Sequence, residues 1–128
     1  MVRDPKRFDV MVTENMFGDI LSDLGAGLVG GMGMAPSGDI GVDAAVFQPS
    51  HGSAPDIAGQ GIANPIATML SAAMMLEWFE HEETVRGAKN LRAAISKVLA
   101  NPSNRTPDMG GDMKTEQITK SVIDALGS

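Results

Sequence analysis

The sequence contains no cysteine. That excludes a disulfide frame, a thiolate metal site and a cysteine nucleophile, and it fits a cytoplasmic protein. There is no surplus of positive charge either. Ten Lys and Arg stand against 16 Asp and Glu, a net charge of −6. A nucleic-acid partner needs a basic patch to displace counterions from phosphate, so none is expected. No apolar run is long enough to span a bilayer, which takes about 20 residues. The longest weakly polar stretch, residues 24–36, is interrupted by glycine. The first ten residues carry basic side chains but lack the apolar core of a secretory signal. Internal repeats and low-complexity tracts are missing as well. The expectation is a soluble cytoplasmic protein with neither membrane nor nucleic-acid partners.

What is present suits one domain of ordinary size: 128 residues, 43% of them hydrophobic. Ten of the fifteen glycines cluster at residues 25–41 and 52–61, where they suggest loops with special backbone needs. Phe8, Val10 and Val12 alternate with polar residues and predict a short strand. Asn15 can cap a helix from about Met16 to Leu28. Residues 31–41 read as loop or irregular strand, and residues 44–47 as another short strand. Gly52, Pro55, Gly59 and Gly61 make residues 51–63 a shaped loop. Asn64-Pro65 is a strong helix start, followed by Ile66, Met69, Leu70, Ala73, Met74 and Trp78 on one face. A second amphipathic helix is expected over residues 82–99, with Val85, Ala88, Leu91, Ile95, Val98 and Leu99 inward. After a loop over 102–114, Thr115 would cap a last helix burying Ile118, Val122, Ile123 and Leu126. Helices interspersed with strands indicate an α/β layer arrangement. Two or three strands are too few for a parallel sheet buried on both faces, so the chain reads as a piece of a larger fold.

Two features bear chemistry. Asp19 and Asp23 lie four residues apart in the first predicted helix, which stacks their carboxylates on one face. Like charges there repel by roughly 0.2–0.5 kcal/mol. A divalent cation with a taste for hard oxygen, Mg²⁺ or Mn²⁺, turns that cost into a gain. Spacing alone favours the plainer reading, two solvated acids near a helix start.

The second feature is the loop His51-Gly52-Ser53-Ala54-Pro55-Asp56-Ile57 running on to Asn64. Small residues let the backbone approach a flat ligand. Asp56 could accept hydrogen bonds from both ribose hydroxyls and repel a 2′-phosphate, selecting NAD over NADP. His51 offers a ring for stacking, and Asn64 an amide for a base edge. The G-x-G-x-x-G fingerprint is absent, and residue chemistry leaves the loop open between a nucleotide site and a structural Ω-loop. His81 among Glu80, Glu82 and Glu83 reads as a solvated turn rather than a ligand cluster. Asp108 and Asp112 read as turn residues.

Taken together, several strings closely resemble the isopropylmalate/isocitrate dehydrogenase family of β-decarboxylating dehydrogenases. They are the segment from Asn15 to Asp23, the loop from His51 to Ala67, the run Leu70 to Leu76 and the tail Thr106-Pro107-Asp108-Met109-Gly110-Gly111 with Thr115 and Glu116. The resemblance covers nearly the whole chain and is greatest to 3-isopropylmalate and tartrate dehydrogenase-like members. It implies that Asp19 and Asp23 bind Mg²⁺ or Mn²⁺. It also implies that His51, Gly52, Ser53, Ala54, Asp56 and Ile57 form an adenosine-binding loop, with Asn64 at the adenine. Asp56 and Ile57 stand where NADP-preferring relatives have Lys-Tyr, so the cofactor implied is NAD.

The implied fold is the C-terminal part of a two-domain, doubly wound α/β unit. Residues 1–30 would end the smaller domain and residues 31–128 would close the larger, NAD-binding one. The helix over Met16–Leu28 would join a homodimer interface. The implied reaction is oxidative decarboxylation of a 2-hydroxy acid. The first expectation is 3-isopropylmalate, with tartrate, isocitrate, homoisocitrate and malate as alternatives. The family's lysine, tyrosine and aspartate for proton transfer, and its substrate-clamping arginines, would precede this stretch. No catalytic residue is therefore assigned, and the chain is expected to be inactive alone. A non-catalytic nucleotide-binding or oligomerising module is the competing reading. One departure stands out: Gln48 occupies the place of the family's glutamate, keeping its shape without its charge.

Overall fold

The computed structural model describes residues 1–127. Six regular elements follow one another: α1 (Asn15–Leu28), β1 (Pro36–Ile40), β2 (Ala45–Pro49), α2 (Ile66–Trp78), α3 (Glu82–Leu99) and α4 (Thr115–Leu126). Short 3₁₀ turns at Pro5–Arg7, Met32–Met34, Pro55–Ile57 and Pro107–Met109 punctuate the connections.

The core lies between α2, α3 and α4. Ile66, Ala94, Ile95, Val98, Ile118 and Val122 form one buried cluster, with Met69, Leu70, Leu91, Leu99 and Ala125 packed against it. The 3.6-residue spacing of the apolar positions in α3 turns one stripe inward and leaves Glu82, Glu83, Arg86 and Lys89 in water. Arg92 clamps α3 to α2 through a bidentate pair with Glu77, Nε to Oε1 at 2.8 Å and Nη2 to Oε2 at 2.9 Å. The hydrogen bonds from Arg92 hold the Glu77 carboxyl below its ordinary range, against a smaller opposing effect of burial.

β1 and β2 form an antiparallel hairpin in the register Pro36↔Pro49 to Ile40↔Ala45. The segment expected to be loop or irregular strand is thus a regular strand. Its pairing partner, invisible to local pattern, decides the matter. Period-two alternation turns Ala45, Phe47 and Pro49 inward and leaves Val46 and Gln48 exposed. Both strands rest on α2. Gly38 packs closely there: a Cβ would come within 3.1 Å of the Phe47 ring and 3.2 Å of Met74 Cε, so those side chains would have to shift slightly.

Four expectations are corrected. Residues 8–12 form no strand; Val12 is 96% exposed. A strand needs a neighbour to satisfy its backbone groups, and none lies alongside among the described residues. Asn15 is the first helical residue rather than the cap, because Gly18 N already donates to Glu14 O at 2.8 Å. Thr115 is likewise inside its helix, whose cap position is Lys114; the Thr115 hydroxyl donates instead to Ala63 O at 2.6 Å. Ile123 and Leu126 are exposed, since α4 packs on the core along the Ile118–Val122–Ala125 line. The expected bounds of α3 hold as written.

Candidate functional site

α2 begins where Asn64 Oδ1 accepts a hydrogen bond from Ile66 N at 3.0 Å, with Pro65 between them. This satisfies one of the helix's otherwise orphaned donors. The loop that leads into it must therefore arrive at a fixed angle. Its far end is tied as well, because Thr115 N donates to Gly61 O at 2.9 Å. Gly59 and Gly61 take φ of 77° and 64°, which side chains rarely adopt. Ala54 adopts the left-handed region too, at φ 44°, without being glycine. That costs about 1 kcal/mol. Strain of this kind collects at functional loops, and here it aims the Pro55–Ile57 turn.

Beside the loop is an open cavity of about 340 Å³ with almost wholly apolar walls. His51, Ala54, Ile57 and Asn64 line it, joined by Met32, Gly33, Ile62, Ala63, Pro107 and Asp108. Gly52, Ser53 and Asp56 belong to the same loop but are exposed and outside the wall. Asp56 sits in chain between two wall residues, its backbone carbonyl accepting Gln60 Nε2 at 2.8 Å and its carboxylate in water. The His51 ring is oriented by a 2.8 Å contact between Nδ1 and Gly52 O. A carbonyl oxygen can only accept, so Nδ1 is the donor in this contact and Nε2 is left free for another partner. A flat, mostly apolar group with a polar edge fits this cavity, and its size falls in the range of small-molecule sites.

Sequence reasoning did not assign Met32, Gly33, Ile62, Ala63, Pro107 or Asp108 to the wall. Asp108 was expected only as a turn residue, and it does lie in the middle of the Pro107–Met109 turn. Its carboxylate also reaches Asn64 across 44 positions, Asn64 Nδ2 donating to Asp108 Oδ2 at 3.0 Å. Nothing local in the Pro-Asp-Met-Gly-Gly string announces such a partner.

Asp19 and Asp23 are exposed one turn apart on α1, along one edge of its apolar stripe. Neither takes part in an ion pair among the described residues. No third histidine, aspartate or glutamate joins them in a cluster there. Such a pair can supply two of the oxygens that Mg²⁺ or Mn²⁺ takes, leaving positions for substrate and water. α1 adjoins the cavity through the Met32–Met34 turn, which packs against the helix and also contributes to the wall. His81 is exposed in the turn between α2 and α3, and no ligand cluster includes it among the described residues. No helix is long and apolar enough to cross a membrane among the described residues.

The profile of the isocitrate/isopropylmalate dehydrogenase family matches residues 1–126. Over 128 residues the chain is 59% identical to an isocitrate/homoisocitrate dehydrogenase of Thermus thermophilus, covering 100% of this chain and 37% of that protein. It is 52% identical over 126 residues to a 3-isopropylmalate dehydrogenase of Archaeoglobus fulgidus, covering 98% and 37%. Among solved structures, isocitrate dehydrogenase from Methylococcus capsulatus superposes with a TM-score of 0.89 at 45% identity. That match covers 100% of this chain and 38% of the other. A β-decarboxylating dehydrogenase from Thermococcus kodakarensis gives 0.83 at 44%, covering 98% and 36%. The chain thus spans little more than a third of the length of these relatives.

Proposed function

The chain belongs to the isocitrate/isopropylmalate dehydrogenase family, and from that premise we propose that it forms the nucleotide- and metal-binding part of an NAD-dependent enzyme that oxidises and decarboxylates a 2-hydroxy acid. One observation carries the reading: an apolar cavity of about 340 Å³ walled by His51, Ala54, Ile57 and Asn64, with an exposed acid, Asp56, in the same turn. His51 and the small residues would hold the adenine. Asp56 would take the ribose hydroxyls, and Gly52 and Ser53 would let the backbone come close. Asn64 keeps its Oδ1 for the α2 start and one Nδ2 hydrogen for Asp108, so it would meet the base with its second Nδ2 hydrogen and its backbone.

Asp19 and Asp23 would hold Mg²⁺ or Mn²⁺. When bound, NAD supplies the hydride acceptor and the cation a Lewis acid for the decarboxylation. The chain contains no tyrosine, so the phenolic proton donor expected of the family is not among its residues. Inactivity of the isolated chain is part of the proposal; turnover of any 2-hydroxy acid by these 128 residues would refute it.

None of the residues assigned here reads a substrate side group. The proposal therefore stops at the class, with 3-isopropylmalate, isocitrate and homoisocitrate inside it. The same reading assigns residues 1–30 to the end of a smaller domain and 31–128 to the larger one. The core between α2, α3 and α4, which α1 does not enter, supports that division. A homodimer through α1 and a cytoplasmic setting complete it, the latter supported by the absence of cysteine.

Asp56→Lys tests the cofactor assignment. A charge at this exposed position acts on a 2′-phosphate with about 1 kcal/mol in bulk water and up to about 4 near a protein surface. NADP affinity is expected to rise at least tenfold and NAD affinity to fall, as read by calorimetry. Equal affinities for NAD and NADP in the unaltered protein would count against the assignment.

A further inference from the structure

Three segments far apart in sequence meet at the Asp108 carboxylate. Oδ2 accepts Asn64 Nδ2 at 3.0 Å, from the start of α2. Oδ1 accepts the hydroxyl of Thr106 at 2.5 Å, and Thr106 is fully buried. The third segment is the Met32–Met34 turn. A Cβ placed on Gly33 would stand 2.5 Å from Asp108 Oδ2 and 2.9 Å from Asn64 Cβ, so only glycine lets these groups close up. Gly33, Asn64 and Asp108 all line the nucleotide cavity.

The segment around Asp108 is itself held tightly. Met109 N and Gly111 N both donate to Thr106 O, at 2.9 and 3.1 Å, and Met113 N donates to Arg105 O at 2.9 Å. A side chain at Gly111 would run into the Arg105 backbone. The carboxylate is therefore presented by a rigid turn rather than a mobile one.

We propose that Asp108 is a positioning residue of the nucleotide site: through Asn64 it fixes the orientation of the cavity wall that meets the base. This rests on the reading of the cavity as an adenosine site. The physical argument is one of donors and acceptors. An asparagine amide can turn over, exchanging its acceptor and donor ends. The start of α2 requires the oxygen at Ile66 N. The acceptor-only carboxylate requires the nitrogen on the other side. The two demands agree, and Asn64 is left with one orientation and one free N–H. With Asp108 removed, the wall loses a charge-assisted bond and its tie to the 105–113 turn.

The experiment uses the full chain with 5′-AMP and Mn²⁺ as separate probes, read by calorimetry, and circular dichroism to confirm folding. Asp108→Ala is expected to raise the AMP dissociation constant at least tenfold and leave Mn²⁺ affinity unchanged. Asn64→Asp sets two carboxylates face to face and should weaken AMP to a similar degree. Adding Asp108→Asn in that background restores a carboxylate–amide pair with the ends exchanged, and should recover most of the loss. A folded Asp108→Ala chain with unaltered AMP affinity overturns the proposal. If that variant does not fold, the proposal falls when Asp108→Asn fails to rescue Asn64→Asp. Failure of the unaltered protein to bind AMP at all is a different result. It removes the adenosine reading and this proposal with it.

Discussion

An Asp23→Asn variant is expected to lose Mn²⁺ binding by more than the roughly 10–100-fold that removal of an outer-shell partner costs a metal site. The two carboxylates of α1 stand one helical turn apart, their Cβ atoms about 5–6 Å from each other by helix geometry. One cation taking oxygens at about 2.0–2.1 Å can be reached by both. No third carboxylate or histidine joins them in a cluster among the described residues. Each therefore carries half of the charge that the chain offers to the ion. Asparagine keeps the shape and one acceptor but removes that charge.

The same substitution separates a ligand from a structural role by the sign of a second effect. Exposed like charges at i and i+4 destabilise a helix by roughly 0.2–0.5 kcal/mol. Removing one should leave α1 as stable as before or slightly more so. Weaker Mn²⁺ binding together with an unchanged or raised melting temperature is the expected pair of results. Unaltered Mn²⁺ affinity by calorimetry or electron paramagnetic resonance would end the ligand assignment.

Why α3 could be read from residues while the strand at residues 8–12 could not is a matter of where the partners lie. α3 packs along its whole length against α2 and α4, so its stripe of Val85, Ala88, Leu91, Ile95 and Val98 records real burial. Phe8, Val10 and Val12 carry an equally clear alternation, but among the described residues no neighbouring strand answers it. The reverse happened at Pro36–Ile40, where Pro, Gly and Asp hide a strand that the Ala45–Pro49 partner enforces. His51, Ala54, Ile57 and Asn64 could be grouped from the sequence because they lie on one contiguous loop, and they meet in one cavity wall. Asp108 could not, because its role depends on a contact to Asn64 that no local pattern encodes. Thr115 misled in the same way: a good capping residue spends its hydroxyl on Ala63 O, tying α4 to the end of the loop.

Replacing Ile20 and Leu24 together by glutamate is expected to convert a dimer into a monomer, with the apparent dissociation constant rising by at least about a thousandfold. Met16, Ile20, Leu24 and Leu28 follow the i, i+4 spacing of one helical face, with Phe17 at i−3 from Ile20 beside them, yet α1 buries only Ala26. Ile20 is 58% exposed and Leu24 41%. Each large apolar side chain left in water forgoes roughly 1.5–3 kcal/mol. The helix also contains Gly18, Gly25 and Gly27, each costing about 0.5–1 kcal/mol relative to alanine. At Gly27 nothing within 4 Å would obstruct a Cβ. A helix so rich in glycine and so poorly covered within residues 1–127 has little to hold it by propensity alone, since helices in proteins draw most of their stability from packing of an apolar face.

A second copy is the partner we propose, the two stripes facing each other about a twofold axis. Two glutamates in such a seam forgo the burial of Ile20 and Leu24 on each subunit. At roughly 1.5–3 kcal/mol per side chain, that exceeds the 4 kcal/mol of a thousandfold change. Circular dichroism of the same variant reports whether α1 is still formed. Sedimentation equilibrium decides the matter. A wild-type chain that is monomeric at micromolar concentration, or a double variant that stays dimeric, would show that the apolar face of α1 is covered in some other way.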